Sequence, residues 1–289
     1  MKGLVKFAEG AGNMEVREVE EPKILPGYVK IEVKATGICG SDIHILHSDI
    51  AIPVRPPVVT GHEFSGIVVE VGDGVTTCKV GDRVTSETAY QYCGKCENCK
   101  NGRYNLCDER KTLGYWYNGA FAKYTMVPQE RIHLLKESIS FEEAALLEPL
   151  ACVCHAVMDL AEVKPTDIVL ITGPGAVGLM TLQVIKAYGA KTIISGTNAD
   201  AERLKMAEKY GADFIINIQQ DDLLEKVKHI ISSLLFLSDS ISIVAVLSVE
   251  LTSNSTQPAG IPILIGPSSF HSPSNSSFSL TTTDRKSVV

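Results

Sequence analysis

The chain lacks several features that would assign it to other classes of protein. Its first residues, Met1 to Phe7, do not resemble a secretory signal, so we expect a reducing, cytoplasmic compartment. With 27 Lys and Arg against 34 Asp and Glu it has no basic excess, which argues against a nucleic-acid or anionic-membrane surface. Its apolar late stretch, 234–249, is interrupted by serines and an aspartate, whereas a membrane helix needs about 20 mostly apolar residues. The 289 residues suit two ordinary soluble domains without internal repeats.

Four cysteines stand close together in the spacing C-x2-C-x2-C-x7-C, namely Cys93, Cys96, Cys99 and Cys107. Four thiolates at about 2.3 Å from Zn2+ form a closed structural site with no open position for chemistry. A reducing compartment disfavours disulfides as the alternative. An iron–sulfur cluster is the nearer rival, but ferredoxin runs typically place the fourth cysteine after about three residues and before a proline. The spacing therefore favours structural zinc.

A second group of candidate metal ligands is spread over separate segments. Cys39 lies in G-I-C-G-S-D-I-H, and His62 and Glu63 lie in G-H-E-F-S-G. Glu148, much later in the chain, adds another carboxylate. A catalytic zinc needs about three protein ligands and an open position for water or substrate. These residues are therefore candidates for a catalytic metal site.

The chain resembles the zinc-dependent medium-chain dehydrogenase/reductase family, and most closely its sorbitol (L-iditol) and threonine dehydrogenase branch. The similarity rests on the family's zinc signature, which reads G-H-E-x2-G-x5-G-x2-V from Gly61 onward, and on the four-cysteine segment. It covers the chain from residue 1 to about Lys228. It implies a GroES-like β-barrel domain followed by a dinucleotide-binding domain.

The resemblance also implies roles for the second group of residues. Cys39 and His62 match ligands of the catalytic zinc. Glu63 matches a third ligand or a group directly beside the ligands, because the branch varies between the two. Glu148 takes the position of the remaining ligand or of the group that holds the zinc-bound water.

Two polar residues are implied to carry a proton. Ser41 matches the hydroxyl that hydrogen-bonds the reacting alcohol, and His44 matches the end of a proton relay through the cofactor ribose. Zinc makes a bound alcohol more acidic, as it lowers the pKa of water from about 15.7 to about 7. The hydride goes to the nicotinamide, while Ser41 passes the proton outward and His44 releases it to solvent.

Residues 166–196 are expected to form a strand, a tight turn, a helix that ends at a Gly189 cap and a second strand. A G-x-G-x-x-G motif between a strand and a helix is a strong signal for dinucleotide binding. Its glycines permit the turn, let the backbone approach the pyrophosphate and let helix and strand pack closely, while the helix N-terminus offers N–H groups to the phosphates. We expect a cofactor site formed by Gly173, Gly175, Val177, Gly178, Thr197 and Arg203.

The identity of the dinucleotide stays open. NAD-binding folds place Asp or Glu about 20 residues after the glycine motif, where it binds the ribose 2′-hydroxyl. Here the second strand ends at Gly196, Thr197 and Asn198, and Asp200 comes a few residues late. Arg203, on the next helix, could help to bind a 2′-phosphate. NAD or NADP is therefore expected, with NAD favoured because the resembled branch mostly uses it.

A capping box of Ser140 with Glu143 predicts a helix that carries Glu148. Cys152 and Cys154, farther along this helix, compete for the role of Glu148, and we expect them to be packing residues. Cys78 has no partner at metal spacing.

The predicted fold class is α/β, with three segments. Residues 1–155 form the GroES-like zinc-binding catalytic domain, and residues 156–228 form the first half of a Rossmann NAD(P)-binding domain. Residues 229–289 are rich in Ser and poor in charge, and we expect an atypical, poorly ordered tail with at most one strand in 234–249. An incomplete sheet would expose a strand edge that favours aggregation.

The resulting hypothesis is a zinc-dependent oxidoreductase that transfers a hydride from a secondary alcohol, such as sorbitol or L-iditol, to NAD(P)+ and forms a ketone. It requires two zinc ions per chain, a small-molecule alcohol, no nucleic acid and no membrane. The alternatives are an inactive truncated relative that keeps its zinc and an L-threonine 3-dehydrogenase. Cys39, His62 and the four-cysteine segment disfavour a zinc-free, quinone-reductase-like protein. The family is usually homo-oligomeric, and the atypical tail leaves that state open here.

Overall fold

The computed structural model describes residues 1–235, 242–247 and 268–269, and the described chain divides into two units after Pro149. The first unit consists mainly of short antiparallel strands. Their bounds are β1 Lys2–Lys6, β2 Met14–Glu18, β3 Tyr28–Thr36, β4 Val58–Val59, β5 Phe64–Val71, β6 Arg83–Ser86, β7 Ala89–Gln91, β8 Lys111–Thr112, β9 Tyr124–Pro128 and β10 Ile132–Leu134.

These strands form a five-stranded sheet in the order β10-β6-β5-β3-β9, a three-stranded sheet β2-β1-β4 and a β7–β8 pair. Strand β3, whose residues 29–34 alternate between apolar and charged, lies between β5 and β9 in the larger sheet. Val29 and Ile31 are fully buried on β3 and pack with Phe64, Val68 and Val84. This β-rich first unit agrees with the GroES-like β domain that the family resemblance implies.

The first unit also contains short helices that begin beside candidate site residues. They are α1 Gly40–His47, α2 Glu97–Lys100 and α3 Phe141–Ala145, and α4 Leu147–Cys154 begins in this unit. The predicted capping box is present, since Ser140 Oγ accepts from Glu143 N–H at 3.1 Å and Glu143 Oε2 accepts from Ser140 N–H at 2.8 Å.

The helix that begins at Ser140 does not carry Glu148, contrary to the prediction. It ends at Ala145, and Glu148 lies on α4, which begins at Leu147. Pro149 gives the physical reason, because proline has no N–H to donate and is tolerated only in the first turn of a helix. Cys152 and Cys154 do share a helix with Glu148, as predicted.

The second unit contains a mostly parallel sheet, entered through a π-helical segment, His155–Leu160. The strands β11, β12 and β13 alternate with helices, and their order in the sheet is β13-β12-β11-β14-β15. Only β15 is antiparallel to its neighbour. The bounds are β11 Ile168–Thr172, α5 Ala176–Tyr188, β12 Lys191–Gly196, α6 Ala201–Lys209, β13 Phe214–Asn217, α7 Leu223–Leu235, β14 Ser242–Leu247 and β15 Ser268–Ser269.

Apolar faces of α5 and β11 form the centre of this unit. Leu182 and Ile185 are fully buried against Val169 and Ile171, so α5 packs along the sheet with a period near 3.6. Asp213 at the start of β13 ties the unit together, because its carboxylate accepts from Lys186 Nζ at 2.7 Å and from Thr192 N–H at 2.8 Å.

The described structure extends past Lys228, where we expected the family pattern to stop. Helix α7 continues to Leu235, and Ile230 and Ile231 are buried against Ile168 and Ile216. The amphipathic pattern of α7 therefore continues into the serine-rich region. The single strand considered for 234–249 is present as β14, parallel to β11. The expected poor order of the tail, 229–289, is not met in the end of α7 or in β14 and β15, and the remaining residues of the tail lie outside the described part of the chain.

Among the described residues, no helix has both the length and the apolarity required to cross a membrane.

Candidate active site and metal centres

The structure brings Cys39, His62 and Glu63 together in the first unit. One potential ligand atom from each, a sulfur, a ring nitrogen and a carboxylate oxygen, lies within 4.8 Å of the others. His62 and Glu63 are buried, each with 6% exposure, and Cys39 is half-buried at the start of α1. This is the donor set of the predicted catalytic zinc site.

Backbone geometry on both segments positions these side chains. Gly37 N–H and Thr36 Oγ1 donate to the Glu63 carbonyl at 2.9 and 2.8 Å, which ties the end of β3 to the residue before β5. A Cβ at position 37 would overlap Glu63 Oε2. Gly61 has φ +89°, a conformation that glycine adopts without strain, and it directs His62 inward.

Asp42 is a site residue that the sequence reasoning did not single out. Asp42 Oδ2 accepts from Cys39 N–H at 2.9 Å, while Asp42 Oδ1 faces His62 Nδ1 at 3.8 Å. Both facing atoms are buried and have no hydrogen-bond partner among the described residues. The pair can orient the imidazole so that its other nitrogen, Nε2, is available as a ligand. The signal was present in the motif C-G-S-D, since an acid three residues after Cys39 can cap α1.

The electrostatics of this group indicate a place for a cation. Burial raises the pKa of Cys39 to about 11 and, with the charge of Glu63, raises the pKa of Asp42 to about 6. Burial also raises the pKa of Glu63 and lowers the pKa of His62 to about 4, so the imidazole is neutral at pH 7. Cys39, Asp42 and Glu63 are thus acidic groups close together in a buried region, where their negative charges are unfavourable. A bound dication would compensate these charges and allow all three groups to be ionised. The donor chemistry of the site fits zinc.

Glu148 is not a member of the three-residue ligand group, but it lies near it. Burial and the charge of Glu63 raise the pKa of Glu148 to about 7, and the charge of Arg110 opposes that rise. Tyr115, which is 3% exposed, places its ring 5.5 Å from that of His62. No pattern in the sequence marked Arg110 or Tyr115, because contacts across separate loops leave no spacing to detect.

Ser41 and His44 lie on α1, three residues apart and so on one side of the helix. Ser41 Oγ is 3.5 Å from His62 Nε2, and its hydrogen bond to Cys39 lowers the pKa of that thiol against the effect of burial. His44 Nδ1 lies 2.9 Å from Asp49 Oδ1. The structure therefore places Ser41 at the ligand group and His44 beside an exposed carboxylate.

The four-cysteine segment forms the second group of potential ligand atoms, with all four sulfurs within 4.8 Å of one another. The N–H groups of Cys96 and Cys99 donate to the sulfurs of Cys93 and Cys96 at 3.3 and 3.5 Å. Hydrogen bonds from the Lys95 and Cys96 backbones lower the pKa of Cys93 to about 6. Burial and neighbouring thiols raise the pKa of Cys99 to about 12, so this thiol needs a nearby cation to ionise near pH 7. The segment fits a closed tetrahedral zinc site.

The glycine motif occupies the turn between β11 and α5, as predicted. Gly173 has φ +88° and donates to the Ser195 carbonyl at 2.9 Å, Gly175 is the N-cap of α5, and Gly178 is buried in its first turn. Val177 is half-buried against the core of this unit. Gly189, with φ +84°, ends the helix, which confirms the predicted C-cap.

The carboxylate of Asp200, the first acidic residue after β12, is hydrogen-bonded to a nearby residue of its own loop. Asp200 Oδ2 accepts from Thr197 N–H at 2.9 Å and from Thr197 Oγ1 at 2.7 Å. Arg203 Nη1 lies 3.6 Å from Asp200 Oδ1. The backbone N–H and hydroxyl of Thr197 are thus turned toward Asp200, and its predicted cofactor role stays a prediction.

Two family models match the chain. The alcohol dehydrogenase GroES-like domain matches residues 25–137, and the zinc-binding dehydrogenase domain matches residues 176–288. Together with the relatives below, they show that the chain belongs to the zinc-dependent medium-chain dehydrogenase/reductase family.

Several dehydrogenases with similar sequences support the same family. A sorbitol dehydrogenase from Halalkalibacterium halodurans is 47% identical over 80% of this chain and 66% of its own length. A D-arabitol-phosphate dehydrogenase from Enterococcus avium is 46% identical over 80% and 65%. An L-threonine 3-dehydrogenase from Francisella tularensis is 36% identical over 81% and 67%. The chain thus spans about two-thirds of the length of these relatives.

Solved structures share the fold. A candidate zinc-binding dehydrogenase from Sinorhizobium meliloti 1021, with bound NADP, superposes with a TM-score of 0.72 at 36% identity. The match covers 78% of this chain and 64% of that one. The predicted fold class, a GroES-like domain followed by a dinucleotide-binding domain, is confirmed.

Proposed function

We propose that the protein is a zinc-dependent oxidoreductase that transfers a hydride from a secondary alcohol of the polyol class to NAD(P)+ and yields a ketone. The observation that carries the proposal is the buried group of Cys39, His62 and Glu63. Its three different donor atoms lie within 4.8 Å of one another. The similarity to sorbitol and arabitol-phosphate dehydrogenases supports a polyol as the substrate.

Cys39 Sγ, His62 Nε2 and a Glu63 oxygen would hold the catalytic zinc, and the four-cysteine segment would hold a structural zinc. When bound at the first site, zinc supplies a Lewis acid that makes a secondary alcohol more acidic. Asp42 Oδ1 faces the distal nitrogen of His62 at 3.8 Å, beyond hydrogen-bond distance, and its charge would favour the tautomer that keeps the proton on Nδ1 and leaves Nε2 for a metal.

Ser41 is placed to receive the hydroxyl proton of the substrate. Its Oγ lies 3.5 Å from His62 Nε2, so an alcohol at the ligand group would be within reach of it. His44, one turn along α1, is the outer proton acceptor. Asp49 Oδ1, 2.9 Å from His44 Nδ1, holds the imidazole in place at the outer end of this relay.

Glu148 would hold a proton or a water molecule beside the ligand group. Its pKa of about 7 places it between the charged and neutral forms at physiological pH, as a group that exchanges protons requires. Arg110 favours its charged form. Tyr115, packed near the His62 ring, excludes water from that side.

The dinucleotide would bind at the turn formed by Gly173 and Gly175, with its pyrophosphate at the N-terminus of α5. Gly178, Val177, Thr197 and Arg203 complete the proposed site. The three residues after β12, Thr197 to Ala199, carry no carboxylate, and the carboxylate of Asp200 is hydrogen-bonded to Thr197, so both NAD and NADP are proposed as cofactors. The relative with bound NADP supports the second.

Steady-state assays with sorbitol, D-arabitol phosphate and L-threonine, each with NAD+ and NADP+, test the proposal. We expect alcohol-dependent formation of reduced cofactor with a polyol, loss of turnover in Cys39→Ala and unchanged turnover in Cys78→Ala. Cys78 is the matched control because it belongs to neither ligand group. Zinc-loaded protein that turns over none of these substrates would contradict the proposal.

L-Threonine oxidation is the second candidate, supported by the threonine dehydrogenase relative. Preferred turnover of threonine in the same assays would select it. A cytoplasmic location and a homo-oligomeric assembly belong to the proposal as family expectations, and a zinc-binding but inactive relative is the outcome if no substrate reacts.

A further inference from the structure

A network of aromatic and charged side chains joins the four-cysteine segment, residues 93–107, to the body of the first unit. Tyr92 directly precedes Cys93, and Tyr104 lies between Cys99 and Cys107. The two tyrosine rings stack with centroids 5.1 Å apart and planes 24° apart. The stack therefore closes the two ends of the segment against each other.

Arg131 lies against this stack. It sits in the turn between β9 and β10, is 4% exposed, and its guanidinium carbon is 4.4 Å from the centroid of the Tyr104 ring and 5.0 Å from that of Tyr92. Arg131 Nη2 also donates to Tyr92 Oη at 3.2 Å. A buried guanidinium with aromatic faces and a hydroxyl acceptor is a directional contact that lysine cannot reproduce.

Glu87, the residue after β6, completes the network. Its Oε2 accepts from Arg131 Nη1 at 2.8 Å, and its backbone N–H donates to the Arg131 carbonyl at 2.9 Å. Glu87 Oε1 accepts from Tyr104 Oη at 3.4 Å and lies 3.0 Å from His133 Nε2. Arg131 and Glu87 thus contact each other through side chain and backbone, and each contacts a tyrosine of the segment.

Several other contacts also hold the cysteine segment. The β7–β8 pair joins Gln91 to Lys111 just outside it. Inside it, α2 is followed by a 3-10 turn, Tyr104–Leu106, whose last carbonyl accepts from Asn98 Nδ2 at 2.8 Å. Cys107 is the one buried ligand of the four. The network of Arg131 and Glu87 adds to these contacts a side-chain link from Tyr92 and Tyr104 to the body of the first unit.

We propose that Arg131 is a positioning residue for the four-cysteine metal site: it holds Tyr92 and Tyr104, and through them the two ends of the segment, in the arrangement that retains the metal. The proposal rests on the structural zinc of the proposed function. Outer contacts of metal ligands typically change metal affinity by about 10-fold to 100-fold. Arg131 acts one residue farther out, through Tyr92, so the lower end of that range is expected.

The test is release of zinc to a chromogenic chelator from the full chain loaded with two zinc ions. In Arg131→Met and Arg131→Lys we expect one zinc to leave about 10-fold faster than in the unmodified chain, and the second zinc to leave at an unchanged rate. Cobalt loading identifies the site, because the thiolate-to-cobalt absorption of the four-sulfur centre should decay with the faster phase.

Arg83→Lys is the matched control. The Arg83 guanidinium carbon lies 4.4 Å from the Phe141 ring centroid, and the guanidinium donates to the carbonyls of Lys136 and Glu137, so it makes the same kind of contact away from the cysteine segment. We expect its zinc release to match that of the unmodified chain.

Unchanged release in both Arg131 variants would overturn the proposal while leaving the zinc site itself established. Equal acceleration of both zinc ions would also overturn it, since that result means general loss of stability. An unmodified chain that holds no metal in the cysteine segment would reject the structural zinc and this inference together.

Discussion

Replacement of Asp42 by asparagine tests the geometry of the candidate catalytic site. The two oxygens of Asp42 have different surroundings: Oδ2 accepts from Cys39 N–H at 2.9 Å, and Oδ1 faces His62 Nδ1 at 3.8 Å without a hydrogen bond. Asparagine has only one acceptor oxygen. If that oxygen keeps the bond to Cys39, the amide NH2 faces the His62 N–H, and two donors meet in a buried place.

The size of the effect follows from the contact that is lost. A partner that orients a metal-bound histidine typically contributes about 10-fold to 100-fold in metal affinity, or about 1.4 to 2.7 kcal/mol. Asp42 is 3% exposed, so water cannot replace the missing acceptor. We therefore expect Asp42→Asn to bind zinc at the Cys39 site at least about 10-fold more weakly.

Competition with a chelator of known affinity measures the change, with the four-cysteine site as an internal reference in the same chain. Asp49→Asn is the matched control, because Asp49, just past the end of α1, pairs with His44 at 2.9 Å but faces no proposed ligand. Equal zinc affinity in Asp42→Asn and the unmodified chain would refute the role of Asp42 and the tautomer assigned to His62.

Three further changes test other parts of the structure. Gly37→Ala should displace Glu63, because the added methyl group overlaps its carboxylate. We expect a loss of about 1 to 3 kcal/mol in the free energy of unfolding, measured with denaturant, and weaker zinc binding. If both match the unmodified chain, the two positions do not touch. Burial tends to raise the pKa of the Asp213 carboxyl, but the hydrogen bonds that it accepts from Lys186 and Thr192 outweigh burial and lower the pKa below 3.8. Asp213→Asn should therefore destabilise the chain by about 1 to 3 kcal/mol at pH 7, and this difference should vanish as the pH falls through the lowered folded-state pKa. A difference that persists in strong acid would contradict that origin. If the chain beyond residue 228 belongs to the core, Ile231→Ala should lower the free energy of unfolding by about 2 to 5 kcal/mol, measured with urea. Leu224→Ala, at an exposed position of the same helix, should lower it by less than about 0.5 kcal/mol. Equally small losses in both variants would show that this part of α7 lies outside the core.

Local sequence signals predicted those parts of the structure that depend on local chemistry. The G-x-G-x-x-G turn, the Ser140 capping box and the Gly189 cap are each set by residues a few positions apart, and each is present in the structure. The four cysteines could be grouped for the same reason. Grouping Cys39 with His62 also needed the family resemblance, because the two residues come from separate segments.

Contacts between distant segments could not be predicted in this way. Asp42 is adjacent to His62 only after β3, α1 and β5 have packed, and the buried network of Arg131 with Glu87 joins strands far apart in sequence. The capping box at Ser140 predicts where a helix begins but not where it ends. A single helix was therefore expected from Ser140 to Glu148, although Pro149 marks the start of a new one. The sequence analysis ended the family resemblance at Lys228 because the chain becomes rich in serine there. In the structure, the apolar face of α7 continues past this point, since the serines of the helix do not interrupt that face.

Metal content per chain tests the central claim most directly. Elemental analysis of the purified protein should find two zinc ions in the unmodified chain and in Cys78→Ala, and one zinc ion in Cys39→Ala. The remaining zinc in Cys39→Ala should be lost when Cys93 is replaced as well. A single zinc in the unmodified chain that Cys39→Ala retains would contradict a metal site at Cys39, His62 and Glu63, and with it the proposed dehydrogenase chemistry.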